Sequence, residues 1–161
     1  SFHSLNLDFL CWFGLIPLFF HLDNQDSLKS YCMSGFVWNL WFHFLSFFWL
    51  AMNIGTHPFI AFLTMIASIL FLSLNGFIIF GILYYFKSSK FKYTFILPII
   101  WVVVEYVRSL GVLGFPWFSL ANSQSDFYYL IQMVEITGVF GVSFWLLTFN
   151  GFMYNLIREI N

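Results

Sequence analysis

The sequence predicts an all-α protein, a polytopic transmembrane helix bundle, and three observations carry that expectation. Of its 161 residues, 61% are hydrophobic and only 8% are charged, against about 25% charged in an ordinary soluble domain. Mean hydropathy is +0.86. The chain also holds 25 Phe, 7 Trp and 8 Tyr, more than a soluble core of this size can hide without leaving large apolar patches on its surface. Lipid removes that difficulty. The formal net charge of -1 comes from six basic and seven acidic residues, which gives neither a basic field for nucleic acid nor an acidic tail.

With about 17 to 25 apolar residues needed to cross a bilayer, hydropathy and turn residues divide the chain into five spans: 9–22, 31–54, 58–86, 93–107 and 136–157. The first is short and contains Pro17, so a kinked or partly truncated helix is expected there. The second carries His43 as its only ionisable side chain. Span three is uncharged and long, and a tilt or a break near Asn75 and Gly76 is expected. The fourth leads to Glu105 and Arg108. The fifth carries Gly138, Gly141 and Gly151, small positions where a neighbouring helix can approach closely. Without repeats or linkers, residues 1–161 read as a single transmembrane domain. The chain opens at Ser1 without a methionine, shows no signal peptide, and stops just after an apolar stretch, so a piece of a longer protein is expected.

Lys and Arg are distributed unevenly between the two sides. The loops 23–30 and 87–92, with the C-terminal end, carry Lys29, Lys87, Lys90, Lys92 and Arg158, whereas the opposite side carries Arg108. The positive-inside rule then puts those five in the cytoplasm and the 109–129 loop on the other side.

The most informative stretch runs from Trp101 to Gln124, where Glu105 and Arg108 interrupt apolar sequence before a Gly114-Phe115-Pro116-Trp117 turn. Ionisable groups near the end of a span are costly to bury, which makes this pair a functional hypothesis, each the other's expected partner. The plain alternative is a locally satisfied interfacial ion pair on one helix face. Gln132 and Glu135 are candidates to complete a polar cluster with Glu105; Glu135 equally suits a helix N-terminus. Phe115 and Trp117 suit membrane anchoring or the lining of an acyl-chain entrance. Cys11 and Cys32 have no activating neighbour and read as small apolar residues. The four histidines show no metal-binding spacing, and His43 reads first as an interhelical hydrogen-bonder. No catalytic residue, metal ligand or cofactor site is assigned within the chain.

Trp101, Glu105, Arg108, the Gly-Phe-Pro-Trp turn, Ser123-Gln124, Gln132, Gly138, Gly141, Ser143-Phe144 and Asn150, in this order, resemble the membrane domain of bacterial apolipoprotein N-acyltransferase. The resemblance is strongest over residues 97–150. It implies a multi-pass protein of the bacterial inner membrane that takes an acyl chain from a phospholipid donor and transfers it to the N-terminal amine of the lipid-modified cysteine of a lipoprotein acceptor. It also implies a periplasmic nitrilase-like domain with a Cys nucleophile, a Glu base and a Lys. No residue here matches that triad, so the resemblance implies a chain inactive alone, with scaffold and lipid access as its contribution. Glu105, Arg108, Trp117 and Gln124 are the residues expected to shape or support the lipid entrance. Competing readings are a non-catalytic membrane module that binds lipid or a partner, and a small transport subunit, for which only His43 and Asn75 lie at depth.

Overall fold

The computed structural model describes residues 8–52, 55, 57–110, 119–124 and 128–160. Among them all regular structure is helical. A 3-10 turn over Asp8–Trp12 leads to α1 (Ile16–Asp23), followed by α2 (Leu28–Phe47) and a second 3-10 turn, Phe48–Met52. Then come α3 (Pro58–Tyr84), a π-helical turn (Lys92–Ile96) continuing into α4 (Leu97–Ser109), a third 3-10 turn (Leu120–Gln124), and α5 (Tyr128–Ile160).

Local chemistry sets most of these boundaries. Pro17 lies in the first turn of α1, where its missing N–H is not needed; the helix is short, beginning at Ile16, and does not kink at Pro17. Ser27 caps α2 by accepting from the Ser30 amide at 3.0 Å. His57 caps α3 through Nδ1, which accepts from the Phe59 amide at 3.3 Å, with Pro58 in the first turn. Of the two expectations for this span, tilt or a break, the break is absent: α3 runs unbroken through Asn75 and Gly76. Asn75 folds its amide onto the Leu72 carbonyl at 2.9 Å, and Gly76 serves packing. The helix is about 40 Å long at 1.5 Å per residue, so it crosses an apolar layer of about 30 Å only with tilt. At the start of α4, Pro98 cannot donate to residue 94 and its ring would strike that carbonyl. The widened turn at Lys92–Ile96, with Ile96 N bonded to Phe91 O at 3.3 Å, accommodates it.

The five helices close into a ring. α2 and α3 form the largest interface, α4 packs on α3 and α5, and α1 packs on both α2 and α5. Gly35 and Gly76 bring α2 and α3 together so closely that a Cβ on Gly76 would lie 2.4 Å from the Gly35 carbonyl oxygen. Of the three glycines expected to mediate close approach in the last span, Gly151 does so, against the Tyr93 carbonyl. Gly138 instead breaks α5 with φ +70°, in open space, and Gly141 faces Thr137 of its own helix. In the ring's centre Phe19 stacks on Tyr93 at 4.2 Å, and Tyr154 meets both edge-on. Large apolar side chains such as Trp41, Phe59, Phe71, Trp145 and Phe152 point outward. Leu28–Met52, Pro58–Tyr84 and Gln132–Ile160 are long and apolar enough to cross a membrane. Helices that satisfy their own backbone and present apolar side chains outward are what hydrocarbon requires.

One mouth of the ring is closed by Asp23. Its carboxylate pairs with Lys92 Nζ at 2.5 Å and Arg158 at 3.3 Å, and accepts from the Tyr93 hydroxyl at 2.8 Å and from Tyr154. Burial opposes its charge, but the hydrogen bonds from Lys92, Tyr154 and Tyr93 outweigh that and hold the carboxyl below its ordinary value. Lys87 adds a looser contact to Asp26 at 3.5 Å.

Candidate functional site

At the opposite mouth, α4 turns Leu97, Pro98, Trp101 and Glu105 inward, a spacing that keeps them on one helix face. Glu105 is 5% exposed. Its Oε1 accepts from Trp101 Nε1 at 3.0 Å, one turn back, and from the Leu120 amide at 2.8 Å. A carboxylate accepting from a backbone N–H makes a charge-assisted bond, the stronger kind. The expected Glu105–Arg108 partnership therefore takes a different form. Arg108 lines the same small cavity and acts on Glu105 through its charge, whereas the hydrogen bonds to the carboxylate come from the Leu120 amide, the Ser143 hydroxyl and the Trp101 indole.

Leu120 begins a 3-10 turn that is pinned from every side. The Ala121 amide donates to Ser143 Oγ on α5 at 3.1 Å, and Ser123 Oγ closes back on the Leu120 carbonyl at 2.7 Å. Gln124, 2% exposed, accepts from Trp12 Nε1 at 3.0 Å and donates to Ser123 Oγ at 3.0 Å. Asn150 makes a second tie below it. Its Nδ2 donates to the Cys11 carbonyl at 2.9 Å and to Leu146 O, while its Oδ1 accepts from the Leu15 amide at 3.1 Å. The segment after α4 is thus fastened to α4, α5 and the entry to α1 by buried polar bonds, none of which a lipid environment would replace.

A groove of about 670 Å³ runs between α1 and α2, lined almost wholly by apolar groups. Its size falls within the usual range for a small-molecule site. Val37, Trp38, Trp41 and Leu45 form its α2 wall, and Gly14 and Leu18 its α1 wall. His21 Nε2 and Ser34 Oγ, 3.1 Å apart, sit at the Asp23 end. Leu120 lines the groove at the far end, so one residue belongs both to the groove wall and to the Glu105 network.

The structure brings Glu105, Arg108 and Gln124 to the same mouth; Trp117 and the Gly-Phe-Pro-Trp turn lie outside the described residues. Gln132 and Glu135 do not join them. Both are exposed on the segment of α5 before the Gly138 break, and Glu135 is about two turns inside the helix rather than at its start. Sequence reasoning missed Trp12, whose indole donates across 112 positions, and the part played by the Leu120 backbone. The only advance signal for Ser143 and Asn150 was their place in the resemblance.

A closed ring of apolar helices, three of them of membrane-crossing length, with a buried carboxylate holding a turn at one mouth, defines a multi-pass membrane protein. Residues 1–152 match the family described as "Apolipoprotein N-acyltransferase N-terminal domain", and the chain belongs to that family. Similar curated proteins are named apolipoprotein N-acyltransferase. One from Chlorobaculum tepidum is 28% identical over 97% of this chain and 28% of that protein. One from Thermotoga maritima is 30% identical over 93% of this chain and 31% of its own length. Apolipoprotein N-acyltransferase 1 of Treponema denticola is 31% identical over 96% of this chain and 28% of that protein. The chain spans less than a third of the length of these relatives. No solved structure matches.

Proposed function

We propose that this chain is the membrane part of an apolipoprotein N-acyltransferase, one transmembrane domain that presents a phospholipid acyl donor to a catalytic domain carried elsewhere in a longer protein. The acyl carbon leaves the donor's ester oxygen for a cysteine sulfur and then passes to the amine of the lipoprotein acceptor, releasing the thiolate. None of those reacting groups is assigned to this chain, so alone it is inactive; its work is positioning. The observation that carries this reading is the sharing of Leu120 between the apolar groove and the Glu105 network. From Met33 to Leu45 the groove wall is about 18 Å long at 1.5 Å per residue, which suits most of an acyl chain. Glu105, Arg108 and Gln124 shape the entrance at that mouth. In the proposed orientation this mouth is periplasmic, and the Lys87, Lys92 and Arg158 end lies at the cytoplasmic face of the inner membrane.

Filling the groove tests the proposal. Val37→Trp in the full-length enzyme is expected to lower acyl transfer at least tenfold at unchanged expression. Unaltered turnover would remove the groove from the reaction path.

A further inference from the structure

We propose that His43 and Glu105 share a bound water in a small cavity of mixed polar and apolar lining between α2, α3 and α4, and that this water makes His43 a positioning residue for the Glu105 carboxylate. His43 is 2% exposed; neither ring nitrogen makes a hydrogen bond of good geometry among the described residues, and its nearest backbone partner is Leu72. Glu105 Oε2, the oxygen not used by Trp101 or Leu120, is likewise buried without a partner. Both residues line a cavity of about 10 Å³ whose wall also includes Asn39, Asn75, Trp101, Arg108 and Leu120. That volume is about one water and nothing larger.

The hydrogen-bond inventory fits. A neutral imidazole offers one acceptor nitrogen and a carboxylate offers acceptors only, so the two groups cannot satisfy each other through that nitrogen. A water resolves the mismatch by donating one hydrogen to Glu105 Oε2 and the other to the acceptor nitrogen of His43. It can accept in turn from an amide N–H of Asn39 or Asn75, since each spends one hydrogen on a backbone carbonyl, Gly35 O and Leu72 O, and carries a second. The Leu72 backbone of α3 lies against the His43 ring and is the partner for its N–H. Buried polar groups left unmet are costly; a site with two to four polar partners is the kind that holds an internal water. The consequence is long-range. Glu105 Oε1 holds the Leu120 amide, so a water on Oε2 ties the α2–α3 pair to the 120–124 turn at the mouth of the groove. The site stands on burial and donor count, independent of the reaction proposed above.

Two measurements test it on the full-length protein. In a density map of the unmodified protein that resolves ordered water, a peak is expected within hydrogen-bond distance of both His43 and Glu105 Oε2; clear side-chain density with no peak overturns the proposal. Hydrogen exchange then reads the coupling. His43→Leu is expected to speed exchange of the Leu120–Gln124 amides at least tenfold with no change in α1, and His43→Gln, which retains an acceptor for water, to return it to within twofold of the native rate. Equal protection in all three proteins, or equal loss in both variants, overturns the positioning role; loss of protection throughout the chain in His43→Leu transfers the test to the density map.

Discussion

Gly76→Ala is the smallest change that tests how the ring is held. A Cβ there would lie 2.4 Å from the Gly35 carbonyl oxygen, 2.6 Å from its carbon and 2.9 Å from Asn39 Nδ2. Ordinary contact begins near 3.4 Å, so two stretches of helical backbone, not a flexible side-chain end, must separate by about 1 Å. Overpacking of that kind costs about 1–3 kcal/mol. In lipid the loss is not offset by hydrophobic association, because helix contact there rests on close van der Waals packing. Gly81→Ala is the control. Its Cβ would meet only Cys32 Sγ at 3.2 Å, a side-chain end that can shift, and a change within about 0.5 kcal/mol is expected. Unfolding of the full-length protein in mixed micelles, titrated with a denaturing detergent, reads both. If Gly76→Ala unfolds with Gly81→Ala and the native protein, the α2–α3 approach is looser than described and the packing account fails.

Three further expectations follow from other parts of the molecule. Because Asp23 is held below its ordinary pKa, its contribution is fully present above the usual carboxylate range and is lost as pH falls through the lowered value. Native protein is therefore expected to lose stability on acidification, and Asp23→Asn, destabilised by about 3 kcal/mol at neutral pH by stranding Lys92, to lose less; parallel acid curves would contradict this. Glu105→Ala removes the acceptor of the Leu120 amide and of the Trp101 indole, at about 1–3 kcal/mol for each group left unmet. Its signature is a shift in Trp emission with faster exchange at Leu120, and native-like exchange would count against the network. For the proposed orientation, a cysteine at Ser125 should react with an impermeant reagent in intact cells whose outer membrane has been made leaky. Reaction only after the inner membrane is opened would invert the topology.

How much was legible in the sequence varied with the kind of physics involved. Apolar composition alone announced a helix bundle, since hydrocarbon leaves a backbone few choices. Of the alternatives offered, the kink at Pro17 and the break at Asn75 failed because each residue was judged by what it does inside a helix. Pro17 sits where a helix begins, and Asn75 satisfies itself on Leu72 without disturbing α3. The pairing of Glu105 with Arg108 was read from their spacing of three, but spacing along one helix says nothing about a backbone amide arriving from Leu120, fifteen positions on. Gly138 was read as a packing residue because a positive φ leaves no mark on the sequence beyond glycine itself. The contact of Trp12 with Gln124 had no local signal at all, because only closure of the ring brings α1's approach beside the 120–124 turn.

The Asp23 knot also constrains the order in which the membrane chain can be assembled. Its partners Tyr93 and Lys92 come about seventy positions later, and Tyr154 and Arg158 later still. During synthesis the carboxylate therefore waits while α2 and α3 leave the insertion machinery before Lys92 and Tyr93 reach it, and through α4 and α5 before Tyr154 and Arg158 do. Until then α1 has only α2 to lie against, and its short apolar stretch is a poor free-standing span. Insertion of α5 is thus the event that commits α1, and the ring closes last at the seam where its earliest and latest helices meet.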